Sequence, residues 1–261
     1  MKIWKRLGAG AVVAFGLAAL STLGSVSAVQ AGDIDSGVVL KGCRIVGTDL
    51  ANFCTMTESG VDCGGDVSLP LPPDSCAFWQ FEMKRDNDLV CVQDVDLSSH
   101  NPKLSLPIKT GLGVVTGESY SDAVCVGGTT IGGGSSGGWM TIRSENGDDW
   151  IGVGSCPCDG AIGGTEVYGL TTIATGPGHD TVIVDDAYFH SEVSIRTGAG
   201  NDDVFLDNID CDGTDLPIVV NCGTDGGYLC VGPGVDTSCG LGDTDCCDVI
   251  NDNGTCTETC F

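Results

Sequence analysis

The sequence predicts an all-β protein, a right-handed parallel β-helix or β-solenoid with a disulfide-rich N-terminal cap. Three observations lead there. The chain holds 41 glycines and only 6 % aromatic residues, and no 3.6-residue apolar period persists past its N-terminal apolar run, so helices are disfavoured. Short stretches of Val, Ile and Thr are punctuated by Gly, Asp and Asn, the texture of strands joined by tight turns. Finally, one strand-turn-strand unit recurs without gaps in Thr141–Ile151, Thr172–Val182 and Ser194–Val204.

In chain order, the first element is a leader. Lys2, Lys5 and Arg6 precede an apolar run that ends in small residues at Val26-Ser27-Ala28 and Val29-Gln30-Ala31, the anatomy of a secretory signal peptide over residues 1–31. An uncleaved anchor is the alternative, but the run falls short of the ~20 residues of a spanning helix. No later segment is long and apolar enough to span as a helix. Export would place the protein outside the cell, on its surface or in a periplasm. All 16 cysteines follow the leader, an even number that reads as a disulfide framework whose connectivity the sequence leaves open. Cys156-Pro157-Cys158 and Cys246-Cys247 lack the paired spacing of structural zinc sites and are read as cystines too.

Residues 32–106 are irregular, carry five cysteines and include the cluster Leu69-Pro70-Leu71-Pro72-Pro73; they form the expected cap or subdomain. Residues 107–261 carry the repeat and a cystine-tied C-terminal end. An earlier relative of the turn, Ile108–Val115, has Val115 where the others have Asp, and a later one, Val231–Thr237, restores both glycines and the Asp. The successive glycines Gly113, Gly147, Gly178, Gly200 and Gly234 lie 34, 31, 22 and 34 residues apart. An interval near twenty fits one coil of a solenoid, the longer ones fit coils with insertions, and a β-sandwich with coincident turns is the competing fold.

Without the three basic leader residues the formal charge of −25 becomes −28. Such a surface repels nucleic acid and anionic lipid and attracts divalent cations. The turns Thr175-Gly176-Pro177-Gly178-His179-Asp180 and Thr197-Gly198-Ala199-Gly200-Asn201-Asp202 resemble the calcium-binding nonapeptide of the repeats-in-toxin family. That resemblance implies Ca2+ between adjacent coils, held by backbone carbonyls of Gly176, Gly178, Gly198 and Gly200 and by Asp180 and Asp202. Val182 and Val204 would fill the core. Thr175 and Thr197 stand where the family has its first glycine, and Asp149 continues the set although Glu145 replaces a glycine there. Calcium wants six to eight oxygens, which two stacked turns could assemble; in the plainer alternative these residues only make turns.

The leading functional reading is therefore an exported, calcium-binding, non-catalytic protein with a structural or adhesive role and polysaccharide as a candidate partner. One alternative is a polysaccharide lyase or glycosidase. The pairs Asp148/Asp149, Asp185/Asp186 and Asp202/Asp203 could supply acid and base, but adjacent strand residues point to opposite faces. The second alternative is ice or carbohydrate binding by a ladder of Thr110, Ser144, Thr175 and Thr197. His100, His179 and His190 fit no catalytic order.

Overall fold

The computed structural model describes residues 37–64, 67–111, 120–134, 137–155, 164–212, 216–223, 227–236, 239–241 and 248–250. The expectations for the leader 1–31, Val115, Cys156, Cys158, Cys246 and Cys247 lie outside these residues.

Strands β1 (Val39–Lys41) and β2 (Arg44–Val46) form an antiparallel hairpin at the edge of a first sheet. At the edge of a second, β3 (Phe53–Thr57), β4 (Gly60–Asp62) and β5 (Ser68–Leu69) form an antiparallel meander. From there the chain alternates between the two sheets. β6 (Gln80–Glu82) joins the first and β7 (Leu89–Gln93) the second; a short helix α1 (Leu97–His100) follows. β8 (Leu106–Lys109) then joins the first, β9 (Ala123–Gly127) and β10 (Thr130–Ile131) the second. β11 (Met140–Arg143) returns to the first, β12 (Trp150–Gly154) and β13 (Thr165–Val167) to the second. β14 (Thr171–Pro177), β16 (Val193–Ala199), β18 (Leu216–Asn221) and β20 (Cys239–Leu241) extend the first sheet. Their alternates β15 (Thr181–Phe189), β17 (Asp202–Cys211), β19 (Gly227–Val231) and β21 (Asp248–Ile250) extend the second.

Among the described residues, apart from the hairpin and meander, every strand pairing is parallel, and successive strands of each sheet keep a constant register. Parallel neighbours need a long crossover; here that crossover is the strand contributed to the opposite sheet. Period-two alternation then buries one side of each strand. In the first sheet Ile45, Phe81, Ile108, Ile142, Ile173, Ile195 and Val220 are register neighbours, each no more than 1 % exposed. The second sheet answers with Val90, Val124, Ile151, Val182, Val204 and Leu229, and one hydrophobic cluster runs from Val38 to Cys239. Val182 and Val204 thus fill the core, as the turn pattern requires.

The parallel stack begins at β2 and β3, well before residue 107, and continues across it. Cys43–Cys76 and Cys54–Cys63 tie this N-terminal part, and Cys211–Cys239 ties coils near the other end; Cys125, Cys222 and Cys230 are disulfide-bonded as well. These cystines fit an oxidising compartment. Among the described residues no helix is long and apolar enough to cross a membrane.

Candidate functional site

The candidate residues converge on the corner where the chain leaves the first sheet for the second. Gly176 pairs with Gly198 and Pro177 with Ala199, so the two turns lie directly on one another. Gly178 and Gly200 have φ of 156° and 148°, conformations that residues with a Cβ rarely adopt. Space excludes a side chain as firmly: a Cβ at Gly200 would lie 1.5 Å from the Gly178 carbonyl oxygen, and one at Gly178 would lie 1.7 Å from that of Gly147. The turn glycines are therefore demanded by the closeness of the stack itself.

The aspartates turn inward. Asp149, Asp180 and Asp202 are 2 %, 1 % and 0 % exposed, and they belong to a column that sequence reasoning only half saw. Asp202 Oδ1 accepts the backbone N–H of Asp180 at 3.0 Å, Asp180 Oδ1 that of Asp149 at 2.9 Å, and Asp149 Oδ1 that of Asp122 at 2.8 Å. Asp122 Oδ1 accepts the N–H of Asp88 at 2.8 Å, and Asp88 Oδ1 that of Asn52 at 2.8 Å. Each carboxyl thus satisfies a corner N–H that no β-ladder reaches. The next residue in every coil donates back to the preceding carbonyl: Leu89 to Asn52, Ala123 to Asp88, Trp150 to Asp122, Thr181 to Asp149 and Asp203 to Asp180. The column stops after Asp202, because Gly227 occupies the following register position.

Asp88 and Asp122 were missed because neither follows a Gly-x-Gly turn. The signal that finds all five is simpler: Asp, one residue, then a core aliphatic, as in Asp88-Leu89-Val90 and Asp122-Ala123-Val124. One turn assignment is corrected accordingly, and Asp122 continues the column after β8, since Ala123 pairs with Trp150. The described part of the Val231–Thr237 turn, residues 231–236, begins at the end of β19 and lies at the opposite corner, where Gly232 donates to the Leu206 carbonyl and Gly234 to Asp207 Oδ1. Thr110, Ser144, Thr175 and Thr197 do form a ladder, but all four are 0 % exposed, so it meets neither ice nor sugar.

The electrostatics follow from burial. Desolvation raises the Asp88 carboxyl to about 7, Asp149 to about 6 and Asp180 to about 8, against bonds to Asn52, Asp122 and Thr175 that pull the other way. Asp122 is pushed well above the usual carboxylate range by burial, then by the charges of Asp149 and Asp88. Asp88, Asp122, Asp149 and Asp180, stacked one strand spacing apart at ~4.8 Å, are all raised because a dry core and the neighbouring charges in it oppose ionisation. The Thr175 hydroxyl donates to Asp180 Oδ2 at 2.5 Å, the bond that opposes the rise of that acid, and lies 2.8 Å from the Thr197 carbonyl, an alternative acceptor for its single proton. Ser144 donates to the Thr175 carbonyl.

The fit to calcium divides by atom. Asp149 Oδ2 and Asp202 Oδ2 are buried without a hydrogen-bond partner, hard oxygens of the kind Ca2+ takes. The carbonyls of Gly176 and Gly178 are instead covered by the Cα atoms of Gly198 and Gly200, in the manner of weak Cα–H···O contacts. Asp149, Asp180 and Asp202 would be the ligands of a bound cation, which would supply the positive charge that the column lacks. Among the described residues no group of three or more His, Cys, Asp or Glu side chains converges as a metal site.

The paired acids separate as strand geometry requires: Asp149 and Asp202 are buried while Asp148 and Asp203 are exposed. His190 is held between Glu166 and Asp212, at 2.9 Å to each, and stacks on Tyr168. His100 bridges Asp74 and Glu58. Burial depresses its pKa, but the two carboxylates outweigh that and leave it raised. His179 contacts the Asn201 carbonyl within the turn stack. No protein-family model, curated protein or solved structure matches the chain.

Proposed function

We propose that this chain is an exported, non-catalytic scaffold of structural or adhesive use, built as a right-handed parallel β-solenoid of the repeats-in-toxin type with degenerate repeats. The observation that carries the reading is the strict alternation of strands between two sheets with the corner aspartates in one column. Right-handedness follows from the strong preference of parallel crossovers for that hand. Chemistry-bearing side chains are spent on bonds between coils, which is the economy of a scaffold. The cystines and the leader support export.

Calcium binding is the second reading, favoured by the unpartnered Oδ2 atoms of Asp149 and Asp202. One experiment addresses both: melting of the oxidised full chain at pH 5 and pH 8.5, each in EDTA and in millimolar Ca2+. A single stack neutralised by protons melts higher at pH 5 and ignores calcium. Restoration of the pH 8.5 midpoint by Ca2+, lost in an Asp180→Ala/Asp202→Ala variant, assigns the cation to this column. Absence of a cooperative transition under every condition rejects the scaffold.

A further inference from the structure

Of the 11 Lys and Arg residues, Lys2, Lys5 and Arg6 lie in the leader, leaving eight to a chain of 36 acidic residues. Sequence inspection finds no cluster among the eight, yet the fold gathers five of them on the outward face of the first sheet, the exposed Lys41 of β1 lying directly opposite Arg44. Arg44 lies on β2 and Lys109, Arg143 and Arg196 on β8, β11 and β16; Lys109 pairs in register with Arg143, and Ala174 separates Arg143 from Arg196. Arg44 is engaged by Glu82 and Lys109 by Glu145. Arg143 and Arg196 are exposed, and neither guanidinium has an ion pair or hydrogen bond among the described residues. Two unpaired arginines are out of place on so acidic a surface unless something else meets them.

The same face carries two more kinds of group. Alternation along β11 and its approach points Trp139, Thr141 and Arg143 outward while Met140 and Ile142 are buried. One coil on, Leu170, Thr172 and Ala174 stand beside them, then Glu192, Ser194 and Arg196. Trp139 is 41 % and Leu170 45 % exposed, two of the few large apolar side chains in solvent. The result is a strip with one edge running from Trp139 and Leu170 to the exposed acid Glu192, the half-buried hydroxyls of Thr141 and Thr172 in the middle beside the buried Ser194, and cations along the other edge. Strand geometry sets Trp139 and Arg143 ~13 Å apart, and Arg143 and Arg196 lie two coils or ~9.6 Å apart.

The geometry points to this strip as a binding face for an anionic polysaccharide, with Trp139 stacking on a sugar ring, Thr141 and Thr172 meeting hydroxyls, and Arg143 and Arg196 pairing with carboxylate or sulfate groups. It rests on the scaffold reading and gives that scaffold its adhesive partner. A planar guanidinium suits either acid group by two parallel hydrogen bonds. A tryptophan face suits the apolar side of a pyranose ring. The acidity elsewhere confines an anionic chain to this strip, and the extended repeat of a polysaccharide matches a surface that repeats by whole coils.

The test is affinity electrophoresis of the full oxidised chain in EDTA through gels holding polygalacturonate, dextran sulfate or uncharged dextran. The expected result is retardation by an anionic polymer, not by dextran, that fades with added salt. Polygalacturonate alone assigns a uronate ligand; dextran sulfate alone assigns a sulfated one. Arg143→Gln/Arg196→Gln weakens apparent binding at least tenfold, and Trp139→Ala weakens it with the cations intact. Because these side chains are exposed, unchanged melting certifies the fold and keeps this outcome separate from the scaffold reading. Equal retardation of the variants, or none of the wild type, overturns the proposal. So does sedimentation showing an arginine-dependent dimer without polymer binding, which would seat a second copy of the chain on the face.

Discussion

At the scale of single residues, Asn52 explains the column it heads. It stands where later coils have Asp, and its amide nitrogen donates to Asp88 Oδ1 at 2.8 Å. A neutral amide is therefore compatible with the corner. Asp122→Asn is expected to keep the bond to the Asp88 N–H and to raise the melting temperature at pH 8.5 by removing a charge from a buried site. Asp122→Ala strands that N–H and costs about 1–3 kcal/mol; equal melting of the two variants by calorimetry would refute the ladder. The glycines give a second contrast. Gly42 has φ of 62° with nothing near its absent Cβ, so Gly42→Ala costs about 1 kcal/mol of positive-φ strain. Gly200→Ala adds collision with a backbone carbonyl and costs about 3–5 kcal/mol, a gap readable by urea unfolding.

At the scale of elements, the corner column makes stability depend on pH in an unusual direction. Asp88, Asp149 and Asp180 have folded pKa values raised above the ordinary 3.8, to about 7, 6 and 8. The folded state binds more protons than the unfolded one between these limits, so stability falls as pH rises. The contribution is complete below pH ~4 and lost by pH ~8; an ordinary paired carboxylate behaves oppositely. A midpoint that climbs from pH 5 to pH 8.5 in EDTA would contradict the burial of these acids. How much of this was legible in sequence depends on the element. The β15/β17 coil was readable because Thr175–Val182 and Thr197–Val204 repeat without insertion. The coil at β9 was not, since eight residues, 112–119, separate Gly111 from Tyr120 and displaced the alignment onto Val115. Nor could sequence tell the two corners apart: Gly232 and Gly234 serve contacts to Asp207 and Asn208 that look the same in one dimension. The inward direction of Asp180 was hidden because a Gly-x-Gly-x-Asp turn fits an outward ligand and an inward hydrogen-bond acceptor alike.

At the scale of the whole molecule, each inner strand touches the neighbours before and after it in its sheet, and in the solenoid proposed above stability is a sum of local interfaces. Hydrogen exchange followed by mass spectrometry is expected to show slowest exchange in β14, β15, β16 and β17, whose long strands are paired on both sides. Exchange should quicken toward β1 and β5 at one edge and β20 at the other. Uniform protection would instead mark one indivisible cooperative unit. The corner bonds carry one more consequence. All five run the same way, each coil lending a carboxyl to the coil before it and an N–H to the coil after. Every coil therefore has a head and a tail that match, and the 22 residues from Thr181 to Asp202 form a complete module. In the proposed solenoid, duplication of that segment in a gene would insert a whole coil with none of these corner bonds left open, so its length would be free to drift by unit steps at a fixed cross-section.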